Sequence, residues 1–256
     1  MSHTIRTTEN NPRFCLLALG ALLCPLMPLQ GAIVTTGCAG ASSCTMAELA
    51  SGGTITVNGI RFSNFEITDA VRDPGSPPQE SQIIVQGLDD GGFNPGPGLR
   101  YSFDDELTLA SGGLQNMTFR FNFTAENTLG TATLIGHTLD MVDFINAGNP
   151  GAVEGQLNVR DQVETLGGAI LDTALVESVR SDAAMVNVLN NPDVISFAAQ
   201  DAIRIRTIVN GTTLHQLALE TLDQRFSIVV PEPGTATLLG CGIAIMLAGL
   251  RLRQRR

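Results

Sequence analysis

Alternation of apolar and polar residues is the strongest regular signal in the chain. Over 117–124, Met117, Phe119, Phe121 and Phe123 fall on one parity, and Thr118, Arg120, Asn122 and Thr124 on the other. Successive side chains of a strand point to opposite faces, so this segment predicts a strand with one face in a core and one in water. That is the signature of an antiparallel sheet. Shorter apolar or β-branched runs recur at 54–57, 60–65, 83–88, 99–103, 106–109, 131–135, 138–145, 156–163, 169–179, 194–197, 202–209, 213–222 and 224–230. Turn residues punctuate them. Asn58-Gly59 predicts a tight hairpin between its flanking runs, and Asn210-Gly211 predicts another between 202–209 and 213–222. Asp104-Asp105 predicts a third, between 99–103 and 106–109. Residues 73–80 and 89–98 are rich in proline and glycine and read as loops. Residues 46–50 predict a short helical turn ended by Gly52-Gly53, and 182–189 has a pattern open to a helix. Strands at intervals of about ten residues, with turn signals between them, predict an all-β fold. The expected architecture is an antiparallel β-sandwich with short helical segments over residues 32–229.

The two ends of the chain carry a different pattern. Arg6 and Arg13 precede an apolar stretch over 14–29 that contains Pro25 and Pro28. Residues 1–31 therefore read as a secretory signal handled by the Sec export machinery. At the other end, Val230 leads into Pro231, Glu232, Pro233 and Gly234. An apolar run over 235–250 follows, and Arg251, Arg253, Arg255 and Arg256 close the chain. As a helix that run covers about 24 Å, close to a hydrocarbon core once the arginine stems snorkel. The arginines hold their end in the cytoplasm as a basic stop. The prolines disfavour helix and predict an extended element outside the membrane.

This order of Pro-Glu-Pro, apolar helix and arginine cluster over 230–256 resembles the PEP-CTERM sorting domain of Gram-negative bacteria. The segment 44–65 also resembles many proteins of that family: a cysteine, a short leucine-containing helix, Gly-Gly-Thr-Ile-Thr-Val, and a Phe-x-x-Phe strand. The resemblance implies an exosortase-like membrane protease as partner, with processing near Pro231, Glu232, Pro233 and Gly234. It also implies an inner-membrane anchor before processing, then the cell surface or an extracellular polysaccharide matrix.

Charge narrows the partners further. Every one of the 15 basic residues is arginine, and net charge is −10. Six of those arginines and only two acids lie in the end segments, which leaves the middle at about −14. Nucleic-acid binding needs a basic footprint, so nucleic acid is excluded as a partner. Of five cysteines, Cys15, Cys24 and Cys241 lie in the end segments. Cys38 and Cys44 remain, an even number in an oxidising compartment, and form the disulfide candidate.

Asp89, Asp90 and Asn94 lie in a glycine-rich loop, with Asp104, Asp105 and Glu106 nearby in sequence. They offer hard oxygens of the kind Ca²⁺ takes. Their spacing matches no EF-hand loop, and turn chemistry with surface charge is the commoner reading. No other cofactor is expected. His137 and His215 are the histidines of the middle segment, both read as structural or exposed. No nucleophile elbow, zinc helix or phosphate loop is present, so no catalytic residue is assigned. Asn116, Asn122 and Asn210 open glycosylation-type triplets that read as chance matches in this context. Glycan-binding sandwiches use exposed aromatic platforms. Here Trp is absent, and Tyr101 and Phe93 are the available candidates. The expected role is an exported, non-enzymatic structural or adhesive protein of exopolysaccharide or biofilm. The alternative is a carbohydrate- or calcium-binding β module on the same export route.

Overall fold

A computed structural model describes residues 33–89, 92, 94–110, 112–128, 130, 132–147, 155–182 and 185–230. The signal segment 1–31, the sorting segment 231–256 with its apolar run and basic stop, Asp90 and Phe93 lie outside the described residues. Among the described residues no helix is long and apolar enough to cross a membrane.

In chain order the elements are β1 (Val34–Thr36), β2 (Ser43–Thr45), α1 (Met46–Ala50), β3 (Thr54–Val57), β4 (Ile60–Asp73), β5 (Ile84–Leu88), β6 (Gly98–Ser102) and β7 (Thr108–Leu109). The series continues with β8 (Gln115–Asn127), β9 (Thr133–Asn146), β10 (Gly155–Thr165), β11 (Ile170–Asp182), β12 (Met185–Leu189), β13 (Asp193–Gln200), β14 (Ala202–Thr213) and β15 (Leu217–Val229). One sheet has the order β1-β3-β4-β8-β14-β10-β11-β12. The other has the order β13-β9-β15-β6-β5-β2, with β7 added against β15. Every pairing is antiparallel.

The alternation at 117–124 is realised in β8. Met117, Phe119, Phe121 and Phe123 are at most 2% exposed, while Arg120 points to solvent. Phe121 meets Tyr101 of the other sheet with ring centroids 5.2 Å apart, and Phe62 meets Phe226 at 5.4 Å. Aromatic pairs at this spacing add to plain burial. The apolar faces of the two sheets thus make one core.

At Asn58-Gly59 the chain takes φ of 48° and 79°, and Val57 pairs with Ile60. These are the two left-handed residues that a two-residue hairpin requires. The helix α1 carries a capping box: Thr45 Oγ1 accepts from the Glu48 amide, and Glu48 Oε2 accepts from the Thr45 amide at 2.7 Å. Glu48 Oε1 also accepts from the Ala39 amide, which ties the helix to the neighbouring loop. Cys38 of that loop is joined to Cys44 of β2 by a disulfide, with Cα atoms 5.2 Å apart.

Four local expectations fail. Asn210-Gly211 is not a hairpin, because β14 runs straight through it. Gly211 faces inward, opposite Met117 and Leu157, and a Cβ there would come within 2.8 Å of Leu217 and of Met117. Glycine leaves that space to the Leu217 and Met117 side chains, which would have to shift to admit a Cβ. Asp104-Asp105 is not a hairpin either. Both β6 and β7 pair antiparallel with the same side of β15, so they run in one direction and do not pair with each other as a hairpin. The two runs expected at 131–135 and 138–145 meet in one strand, β9, which starts at Thr133 and passes through Gly136 and His137. Within 182–189, Asp182 ends β11 and Met185–Leu189 form the strand β12, so the described residues there are strand where a helix was open.

Candidate functional site

The outward face of the eight-stranded sheet is built from the polar parity of four adjacent strands. Across β4, β8, β14 and β10 the outward residues line up in rungs. Ser63, Thr124, Arg204 and Glu164 make one; Glu66, Asn122, Arg206 and Gln162 the next; Asp69, Arg120, Ile208 and Arg160 the third. Two bulges in β4 interrupt the ladder, between Ser63 and Glu66 and between Ile67 and Asp69. A bulge adds a residue and bends the strand. Here the bulges bring Asn64 and Thr68 to the outward surface, with Asn64 at φ 56°, a conformation asparagine tolerates.

The result is a groove of about 620 Å³ over β4, β8 and β14. Its polar lining is Asn64, Glu66, Thr68, Arg120, Asn122, Thr124, Arg204 and Arg206, while Thr207 borders it by its backbone and turns its side chain inward. Phe121 and Phe123 also border it, but their side chains are 1% exposed and lie in the core. Several groups already hold one another. Asn122 Nδ2 donates to Glu66 Oε2 at 2.9 Å. Arg206 Nε lies 3.1 Å from Glu164 Oε1, which also accepts from Gln162 at 2.6 Å. Arg120 stands 3.8 Å from Asp69. Further along the same face Thr118 donates to Asn210, Asn210 to Asn158, and Thr212 to Asn116. This surface presents a wide array of donors and acceptors on rigid strands, with no exposed ring among its described residues.

A second polar cluster sits between the sheets. His137 from β9 and Asp161 from β10 are both fully buried, and Nε2 lies 2.7 Å from Oδ2. Gln224 of β15 donates from Nε2 to Asp161 Oδ2 at 2.6 Å and to Thr207 Oγ1 of β14 at 2.8 Å. The His137 ring also lies 5.0 Å from that of Phe226. Asp161 Oδ2 is the shared acceptor, which places the His137 proton on Nε2. The cluster crosses from one sheet to the other, so it fixes how they face each other. With no solvent access it offers no route for a substrate. Tyr101, the chain's one tyrosine, is also fully buried. Burial, and then the charge of Asp161, push its phenol well above the ordinary value. It is not a surface platform for a sugar.

Of the loop residues weighed for calcium, Asp89 and Asn94 are described. Asn94 Oδ1 accepts from Ser227 Oγ at 2.8 Å, and Asp89 ends the segment after β5. Among the described residues no three His, Cys, Asp or Glu converge on a metal position. Asp104 and Asp105, both left-handed, instead face Glu220. Burial raises the Glu220 carboxyl, with further contributions from Asp105, Asp143 and Asp104. On the outer face of the second sheet, Arg100 grips Asp223 with both Nε and Nη2, at 2.8 and 2.7 Å. Burial, and then Asp223, raise neighbouring Asp140.

No family model matches the chain, and no curated protein matches it. Among solved structures, an arabinose-bound α-L-arabinofuranosidase aligns at 15% identity and TM-score 0.24, over 79% of this chain and 27% of that one. TmCBM61 in complex with β-1,4-galactotriose aligns at 11% identity and TM-score 0.23, over 66% of this chain and 88% of that one. A DUF4465 family protein from Bacteroides caccae aligns at 11% identity and TM-score 0.23, over 62% and 99%. TM-scores of 0.23 and 0.24 lie below that of a shared fold, so these likenesses carry no argument about architecture or ligand.

Proposed function

We propose that this chain is an exported, non-enzymatic adhesive module. It reaches the cell surface or matrix through its C-terminal sorting signal, and there it holds extracellular polysaccharide along the groove of the eight-stranded sheet. The groove is the observation that carries the reading. It sets amide, hydroxyl and guanidinium groups side by side on strands that cannot bend away, which suits a ligand rich in hydroxyl groups. The carboxylates at the groove are already engaged, Glu66 by Asn122 and Glu164 by Arg206 and Gln162, which favours holding a ligand over acid–base chemistry on it. The test is co-sedimentation with insoluble exopolysaccharide. Asn122→Leu, which places an apolar side chain in the groove, should abolish retention. Retention equal to that of the unaltered protein would remove the groove from the account.

Sorting has its own support in the tripartite C-terminal pattern. A membrane protease needs extended backbone, because a helix hides its peptide groups in hydrogen bonds. Pro231 and Pro233 supply that extension, and the arginines hold the register by resisting translocation. Replacing Pro231, Glu232 and Pro233 with alanine should leave insertion intact and block processing in a host with an exosortase. The protein should then accumulate in the membrane fraction. Release like that of the unaltered chain would leave a plain anchor in place of a sorting signal.

A further inference from the structure

We infer that the groove selects an acidic polysaccharide, one bearing carboxylates along its length, and that Arg204 reads that charge. The inference rests on the groove being the polysaccharide site proposed above. Three guanidinium groups, Arg120, Arg204 and Arg206, line the groove, and with Arg160 on the flanking strand they share its rungs with three carboxylates, Glu66, Asp69 and Glu164. This happens on a chain whose net charge is −10. The balance on these rungs is one positive charge, small but opposite in sign to the whole chain, and two of the three carboxylates are spent on Arg206 and Arg120.

The arginines differ in how far they are committed. Arg206 is held by Glu164, and Arg120 has Asp69 nearby. Arg204 has no ion pair and no side-chain hydrogen bond among the described residues, although it stands in register between Thr124 and Glu164. Its planar fork matches a carboxylate with two parallel hydrogen bonds. Arg206 is the next outward residue on β14, about 6.8 Å along the strand. Arg120 and Arg160 flank Ile208 on the rung after that. Arg204 and Arg206 thus follow one strand, with Arg120 and Arg160 on the two strands beside its continuation, an arrangement for a repeating anion.

The absent ring points the same way. A neutral sugar chain draws much of its affinity from stacking on aromatic faces, and Phe121 and Phe123 turn theirs into the core. Charge-assisted hydrogen bonds remain as the source of affinity. Single-stranded nucleic acid is also a polyanion, but its binding couples a basic track to stacking platforms that this groove lacks.

The test measures affinity of the full chain, in mild detergent, for polygalacturonate, its methyl ester, a neutral galactan and a polyuridylate of matched length. Polygalacturonate should bind tightest, and its affinity should fall as salt rises. Methyl esterification should weaken binding by about tenfold or more, the worth of one lost charge-assisted pair. Arg204→Ala should do the same, with Arg204→Lys intermediate. Equal affinity for polygalacturonate and galactan, undisturbed by Arg204→Ala but lost in Asn122→Leu, would overturn the charge selection and leave the groove as a neutral-glycan site. Binding to none of the glycans would remove the groove reading itself. Polyuridylate bound as tightly as polygalacturonate would also overturn the inference, because charge alone would then suffice.

Discussion

The two faces of the eight-stranded sheet hold polar groups under opposite conditions. On the inner face Asp161 and Thr207 sit among phenylalanines and join His137 and Gln224 of the other sheet. On the outer face Asn122, Arg204 and Arg206 stand on the same or neighbouring strands, in water. The inner groups are fixed by each other. Leaving a buried donor without an acceptor costs about 1–3 kcal/mol, so each member depends on the rest. The outer groups lose little when a partner goes, because water replaces it, and they are free to exchange water for a ligand. The contrast separates stability from function within one strand. Odd positions of β8 hold the fold together, and even positions face the groove.

Phe121 and its neighbour Arg120 should give the largest difference. Phe121→Ala empties a fully buried site and should cost about 3–5 kcal/mol. Arg120→Ala removes a half-exposed side chain with one loose ion pair and should cost under about 0.5 kcal/mol. Chemical denaturation of both variants decides it, and equal losses would mean that the two faces are not energetically distinct.

A buried polar substitution comes next. Asp161→Ala leaves His137 Nε2 without its acceptor and should cost about 2–3 kcal/mol. Asp161→Asn keeps an oxygen for His137 and should cost roughly half as much. If Asp161→Ala were silent in a thermal melt, the inner cluster would not be holding the sheets together.

Arg204→Ala should change stability by less than about 0.5 kcal/mol, since Arg204 supports no other group. A larger loss would make Arg204 part of the scaffold and blur the contrast. The smallest effect is in pH. Asp140 and Glu220 have raised carboxyls, so each binds its proton more tightly folded than unfolded. Both contribute stability at acid pH that is lost as pH rises from the ordinary carboxylate range through the raised folded value. Glu48 is lowered, first by its bond from Thr45, and works in the opposite direction, losing its contribution as pH falls. An Asp140→Asn, Glu220→Gln variant should therefore show a flatter loss of stability with rising pH in denaturant titrations. An unchanged slope would place its origin elsewhere.

Sequence reading reached the fold wherever one strand carried its own pattern. Phe119, Phe121 and Phe123 announced a half-buried strand, and Asn58-Gly59 announced its hairpin, because both signals are local. Asn210-Gly211 misled, since the same dipeptide serves a tight packing position as well as a turn. The groove was not legible. It joins residues near 64, 122 and 206, and only the strand order β4-β8-β14 brings them together. The inner cluster left a fainter trace. Asp161 interrupts the parity of Leu157, Val159 and Val163, Thr207 that of Ile203, Ile205 and Val209, and Gln224 that of Leu222 and Phe226. A polar residue on the core parity of three separate strands is the signal that would have found it.

The claim that the outer face is the working face is tested most directly by the arginine side chains themselves. Their Nε–H resonances can be followed in a nitrogen-15 labelled sample as polygalacturonate is added. The account predicts shifts at Arg120, Arg204 and Arg206, with Arg100, locked to Asp223 on the opposite sheet, unmoved. Shifts confined to Arg100 and Arg225, with the groove arginines silent at saturation, would contradict it.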